Sequence, residues 1–180
     1  MAAGATIHHF AITLSDADRS VYTALELRVA RHPSESAEFL LTRVLAYCLE
    51  YTAGLAFSKG LSDPDEPALW VRDLTGALQA WIEVGLPDAE RLHRATKACA
   101  RVVVYAHRDP VQWWTRLAGG KIHRMDRLTV HTMDRNLLAA LAARLDRRMA
   151  FDLSVAESTL YLTLGEDTLT GVIETLTPRP

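Results

Sequence analysis

Two carboxylates on neighbouring extended segments, followed by a helix that carries a lysine, are the residues of this chain whose spacing could do chemistry. They are Glu66, Glu83 and Lys97. The runs Ser62-Asp63-Pro64-Asp65-Glu66-Pro67-Ala68-Leu69-Trp70 and Trp81-Ile82-Glu83-Val84-Gly85 read as two strands of a tight hairpin, turned by Asp73-Leu74-Thr75-Gly76. With Thr75-Gly76 as a two-residue loop, Gly76 supplies the positive φ such loops favour. Trp70 then lies opposite Trp81, a favourable aromatic cross-strand pair that supports the register. Alternation puts Glu66, Ala68, Trp70 and Arg72 on one face with Gln79, Trp81 and Glu83. Glu66 is diagonal to Glu83, about 7–8 Å away through the backbone, within reach of one hard cation. A three-residue loop would shift the pairing by one and undo this. Asp73 belongs to the turn. Such acids with a nearby lysine are the parts of a metal-dependent phosphodiester hydrolase, in which the ion lowers the pKa of a bound water and stabilises developing charge. An ordinary solvated hairpin and helix would carry the same residues.

The elements around the hairpin follow from periodicity. Residues 5–14 and 21–29 read as two antiparallel strands. The pair His8-His9 does not suggest a metal site, because adjacent strand residues point to opposite faces. Ser34 is the expected N-cap of a largely buried helix running to about Thr52, with Glu35 and Glu38 near its positive end. A short strand at 55–58 precedes the hairpin. Pro87-Asp88 starts a helix to about Arg101, whose polar stripe is Glu90, Arg94, Lys97 and Arg101. That stripe is either a solvated face, acids early and bases late, or a phosphate-facing one. Val102-Val103-Val104-Tyr105 reads as a central strand covered on both faces. It completes a β-α-β unit, and ligands in such sheets gather near the carboxyl ends of the strands, where Glu83 sits. A short helix carries Trp113 and Trp114, one for the core and one for an edge. A strand at 128–132, a helix capped by Asp134, a hairpin over 149–164 and a last strand near 170–175 follow. The tail Thr177-Pro178-Arg179-Pro180 is expected to be loose. Arg144, Arg147 and Arg148 make a basic cluster at a helix end.

Composition narrows the classes. The 180 residues are 49% hydrophobic and 23% charged, ordinary for one soluble globular domain. A net charge of -2 and a pI near 6.4 weigh against tight non-specific binding of nucleic acid but leave room for a local basic patch. Cys48 and Cys99 sit in apolar helical patterns and read as buried free thiols. No signal peptide and no span of about 18 apolar residues is visible, so no membrane contact is expected and the cytoplasm is the expected place of action. The common nucleotide-binding and hydrolase motifs, among them the P-loop, G-x-G-x-x-G, H-E-x-x-H and G-x-S-x-G, are absent from the sequence.

Several runs, in consistent order over nearly the whole chain, resemble the YaeQ family of small bacterial proteins. They are Arg31-His32-Pro33-Ser34-Glu35, Phe57-Ser58-Lys59-Gly60-Leu61, Asp65-Glu66-Pro67-Ala68-Leu69-Trp70 and Trp81-Ile82-Glu83-Val84-Gly85-Leu86-Pro87-Asp88. Ala5-Thr6-Ile7 and Asp18-Arg19 also fit. The resemblance implies a divergent branch of the PD-(D/E)XK nuclease fold: an α/β domain with a mixed sheet flanked by helices. Its core would span about 34–107, with strands added at 5–29 and 128–175, all within a single domain. It further implies that Glu83 is the acid of the E-x-K element and that its lysine has moved to the next helix, at Lys97. Glu35 would be an extra acid. The chain departs from that pattern at Gly85, where the lysine would stand, and at Ala68, where relatives often carry an acid.

Two functions are therefore expected. One is a Mg²⁺-dependent nuclease-like phosphodiesterase, with Glu83, Glu66 and Glu35 on the ion, Lys97 orienting water or phosphate, and Arg94 and Arg101 holding flanking phosphates. The other is a non-catalytic module that keeps the scaffold to bind nucleic acid or a protein. Oligomeric state is not fixed by the sequence.

Overall fold

A computed structural model describes residues 4–59, 63 and 65–177. Gly60, Leu61, Ser62 and Pro64 of the acidic stretch, and Pro178-Arg179-Pro180 of the expected loose tail, lie outside the described residues. The first half of the chain runs β1 (Thr6–Asp16), β2 (Val21–Arg31), α1 (Ala37–Leu49), β3 (Leu55–Phe57), β4 (Leu69–Arg72), β5 (Leu78–Val84) and α2 (Ala89–Ala98). The second half runs β6 (Val102–Ala106), α3 (Val111–Ala118), β7 (Leu128–Thr132), α4 (Arg135–Ala142), β8 (Arg148–Ala156), β9 (Thr159–Leu164), β10 (Asp167–Val172) and β11 (Glu174–Leu176). This is a mixed α/β fold with two mixed sheets. The chain, read from its sequence as one domain, groups into two compact units: Met1–Leu49 with Asp134–Ile173, and Glu50–Met133 with Glu174–Pro180.

The first unit holds a five-stranded sheet ordered β10-β9-β8-β1-β2. β1 and β2 pair antiparallel from Thr6↔Arg31 to Asp16↔Val21, and β8 joins β1 parallel. Strict alternation turns Phe10, Ile12 and Leu14 inward with Leu25, Leu27 and Val29. α1 and α4 pack together in this unit. α1 starts later than its expected cap at Ser34. Ser36 Oγ accepts from the Phe39 N–H, whereas the Ser34 hydroxyl is bound to His32 Nδ1. Leu40, Leu41, Val44, Leu45 and Cys48 of this helix are all buried. The Cys48 thiol, wholly enclosed, is pushed up to about 12 by its burial.

The second unit holds a six-stranded sheet ordered β11-β7-β6-β5-β4-β3, parallel across β5-β6-β7 and antiparallel elsewhere. β6 is buried at every residue, as its unbroken apolar run requires. Val102, Val104 and Ala106 meet Leu92 and Ala95 of α2 and Trp113 and Leu117 of α3 in one apolar core. Trp113 is buried there and Trp114 is half-buried. Asp88 caps α2 by accepting from the Arg91 N–H, and Asp134 caps α4 through the Leu137 N–H. The single strand expected near 170–175 is two strands. Ile173 separates them, β10 pairing with β9 in one unit and β11 with β7 in the other. Among the described residues no helix is long and apolar enough to cross a membrane.

Candidate functional site

The β4–β5 hairpin reaches the expected register by an unexpected route. Trp70 does oppose Trp81, and Leu69 opposes Ile82. The loop is not the two residues Thr75-Gly76. The Asp73 N–H donates to the Ala77 carbonyl and the Gly76 N–H to the Asp73 carbonyl, so three residues lie between 73 and 77. Gly76 takes the positive φ of 84° at the last of them. The one-residue shift this causes is cancelled by a bulge: Arg72 pairs with Leu78 but Val71 with Ala80. Asp73 organises the loop, its Oδ1 accepting from the N–H groups of Thr75 and Ala77 and from the Thr75 hydroxyl.

Glu83, near the carboxyl end of β5, has a side chain only 5% exposed. Its Oε1 accepts from Trp81 Nε1 at 2.7 Å and from Arg91 Nε at 2.6 Å. Trp81 stands two residues back on the same face of the strand, so its indole reaches along the strand to the acid. Burial pushes the Glu83 carboxyl above the usual carboxylate range, against Arg91 and Trp81, which pull it down. A terminal N–H of Arg91 also donates to the Glu66 carbonyl, so one guanidinium ties β5, the first turn of α2 and the segment leading into β4 together.

Arg91 did not stand out from the sequence, although a signal for it exists. In a β-α-β unit the helix runs back against the strands, so its first turn lies beside the carboxyl end of the strand before it. Asp88 fixes where that turn begins, and Arg91 is its third residue. Lys97 is six residues on, about 9 Å further along the axis and 120° around it. It is exposed, in the last turn of α2, and the first-turn arginine is the cation that meets Glu83.

The other expected site residues are differently placed. Glu66 is outside β4, in a bend whose N–H bonds the Asp63 carbonyl, and Pro67, with no N–H, cannot extend the ladder. The strand alternation assumed for Glu66 and Ala68 therefore stops at Leu69. The Glu66 carboxylate accepts from the Lys59 N–H at 3.2 Å. Glu35 belongs to the first unit, where it is buried and paired at 2.8 Å with Arg43, whose guanidinium also donates to the Ala30 carbonyl. Arg94 pairs with Asp65 at 3.2 Å, both exposed. Arg101 pairs with Glu50 at 2.7 Å. Residues 101, 103 and 105 alternate with 102 and 104, and Glu83 is in register with Val104, so Arg101 and Glu83 lie on opposite faces of the sheet.

On that opposite face the buried Glu50 also accepts from the Tyr105 hydroxyl at 2.7 Å, and the Tyr105 and His131 rings lie 5.1 Å apart. Burial pulls the His131 imidazole below its usual value, with Glu50 opposing and Arg101 adding to the effect. Arg101 is spent in this network.

The donor set around Glu83 does not suit Mg²⁺. That ion takes one or two carboxylates with further oxygens in octahedral array at about 2.0–2.1 Å. Here a guanidinium and an indole already hold Oε1 of Glu83, position 68 offers a methyl group and Glu66 turns its carboxylate onto an amide. Among the described residues no group of three His, Cys, Asp or Glu side chains could hold a metal.

Comparison with known proteins covers nearly the whole chain. The family model described as YaeQ protein matches residues 1–172. The chain is 32% identical over 170 residues to the uncharacterized protein YaeQ of Salmonella typhi, covering 94% of each. It is 31% identical to that of Escherichia coli strain K12 over the same length and shares. The crystal structure of the YaeQ protein from Pseudomonas syringae superposes with a TM-score of 0.89 at 32% identity, covering 97% of each chain. That from Xanthomonas axonopodis pv. citri gives 0.87 at 32% identity, covering 97% of this chain and 99% of the other.

Proposed function

The chain belongs to the YaeQ family, and from that premise we propose that it is a nucleic-acid-binding module that keeps a nuclease-like scaffold without Mg²⁺-dependent hydrolysis. One observation carries the loss of hydrolysis, and the nucleic-acid partner follows from the nuclease-like scaffold alone. Oε1 of Glu83, the acid that a PD-(D/E)XK-like pattern would give to the metal, is engaged by Arg91 and Trp81. A dication brought to that carboxylate would face a guanidinium at contact distance, and the two cations would repel. The positions that would complete the pattern are Ala68 and Gly85. The nuclease-like scaffold itself is supported by element order: helix, three-stranded meander, helix and strand follow one another from residue 37 to 106. On this reading the protein acts in the cytoplasm, where Cys48 and Cys99 stay reduced.

A fold does not fix an activity, so the reading is tied to a measurement. Labelled single- and double-stranded oligonucleotides are incubated with the parent protein in Mg²⁺ or Mn²⁺, and Mg²⁺ is titrated calorimetrically into the parent protein. The expected result is retained, uncleaved oligonucleotide and no saturable metal heat. Divalent-dependent cleavage that disappears in Glu83→Ala would overturn the proposal and restore the hydrolase, with Arg91 swinging off the acid on metal binding. No retention of either oligonucleotide would overturn it in the other direction.

A further inference from the structure

The geometry points to a second site, in the first unit, that binds a small molecule through a phosphate monoester. The run Arg31-His32-Pro33, at the end of β2, plays no part in the function proposed above. It forms one wall of a cleft of about 320 Å³, a size within the range of small-ligand sites. His8 of β1 and Asp146-Arg147, just before β8, form the other.

The hydrogen bonds around this cleft leave donors free on the side chains that line it. Arg31 spends only Nε, on the Glu35 carbonyl at 3.1 Å, and its two terminal nitrogens have no partner among the described residues. His32 Nδ1 accepts from the Ser34 N–H at 3.2 Å, so in the neutral ring the proton sits on Nε2, which can donate. His8 has the other tautomer. Its Nδ1–H donates to the Asp146 carbonyl at 2.9 Å, so Nε2 can accept from a protonated phosphate oxygen. The Asp146 carboxylate, the one acid in the lining, already accepts from the Arg147 N–H at 2.7 Å. The nearby Glu35 is neutralised by Arg43.

Arg94 and Arg101, expected as phosphate ligands, are each matched to a carboxylate, and so is Arg144 of the basic cluster. Arg31 and Arg147, which line this cleft, have no carboxylate partner among the described residues. Alternation puts Arg31 with His8 on one face of the sheet, whereas Arg28 and Arg148, both in register with His9, lie on the other face and away from this cleft. The guanidinium forks of Arg31 and Arg147, with the imidazole donor of His32, match the oxygens of a phosphate.

The test titrates inorganic phosphate, AMP and adenosine into the full chain at constant ionic strength and reads binding by calorimetry. Phosphate and AMP are expected to bind saturably and adenosine not at all. Arg31→Gln and Arg147→Gln should each weaken binding at least tenfold, whereas Arg135→Gln, at an exposed arginine of α4, should leave it unchanged. Arg31→Lys keeps the charge without the fork and covers the case in which Arg31→Gln does not fold. The proposal is overturned by no phosphate binding, by equal weakening in Arg135→Gln, or by an unphosphorylated oligonucleotide that displaces AMP from the same arginines. Oligonucleotide retention that survives both Gln variants would leave the nucleic-acid reading standing without this site. Phosphate binding with no oligonucleotide retention would do the reverse.

Discussion

Arg91 Nε lies 2.6 Å from Oε1 of Glu83, eight residues away across the turn from β5 to α2. The acid is 5% exposed and the arginine 22%. Removing the arginine would leave a buried carboxylate facing only an indole N–H. Breaking such a pair costs about 3–5 kcal/mol, and the partial exposure of Arg91 favours the lower end. Arg91→Ala should therefore lose about 3 kcal/mol of unfolding free energy in denaturant titrations at pH 7. A loss near zero would mean that water replaces the guanidinium without penalty, and that the clamp is incidental.

The same pair sets a pH dependence whose sign can be worked out. Burial raises the Glu83 pKa in the folded state above its unfolded value. The folded protein thus binds the proton more tightly, and stability from this group is fully present below the ordinary carboxylate range and lost as pH rises through the folded pKa. Glu83→Gln cannot titrate. The parent should lose stability relative to Glu83→Gln as pH is raised from acid to neutral, read as a converging or crossing pair of Tm-against-pH curves. In Arg91→Ala the two interactions that lower the pKa are gone, so the loss should extend to higher pH. A parent-minus-Gln difference that grows with pH would reverse the assignment.

Asp73 gives the opposite sign. Its carboxyl is held below the usual range, first by the Thr75 hydroxyl and then by the Ala77 N–H, with Thr75 N–H and Gln79 adding to them. Its contribution is present above the unfolded carboxylate pKa and is lost as pH falls through the lower folded one. Asp73→Ala should lower Tm at pH 7, and the gap to the parent should close in acid. The hairpin is the element at risk, since the same carboxylate fixes the three-residue loop whose shift the bulge at Val71/Arg72 cancels.

The hairpin also shows what a sequence can and cannot disclose. The Trp70–Trp81 pairing was legible because an aromatic cross-strand pair is favourable in one register only. The loop and bulge that produce it were not, because two one-residue deviations of opposite sense leave the pattern unchanged beyond them. Strand alternation was legible wherever one face is buried, as in β1 and β2. It failed at Glu66, where Pro67 ends the ladder. The acid at Glu83 was legible, and so was Trp81 on its face. The cation that meets it was sought along the exposed stripe of α2, where charge periodicity is plain. Arg91 sits off that stripe, and only the sense of the helix relative to the strands singles it out. Ile173 carries no turn signal, so the change of sheet between β10 and β11 depends on pairing partners far away in sequence.

A last prediction concerns the β8–β9 turn, where two non-glycine residues, Glu157 and Ser158, have φ of 52° and 56°. Left-handed backbone costs an L-residue about 1–2 kcal/mol, and two-residue hairpin turns of this kind favour Asn-Gly. The strain is held by Asp18, whose two carboxylate oxygens accept from the Glu157 N–H at 2.7 Å and the Ser158 N–H at 2.9 Å. Both bonds are to backbone, so they survive a change of side chain. Glu157→Asn with Ser158→Gly should raise stability by about 1 kcal/mol, the relief of strain exceeding the extra unfolded-state freedom of glycine. Asp18→Ala should lower it by a similar amount, about 1 kcal/mol for exposed charge-assisted bonds. Because the carboxylate compensates for a conformation that Asn-Gly adopts unaided, Asp18→Ala should cost less in the Asn-Gly background than in the parent. A double-mutant cycle in urea measures that coupling. Strict additivity would show that Asp18 and the turn residues act independently, and that the carboxylate tethers the β1–β2 turn to this one without relieving its strain.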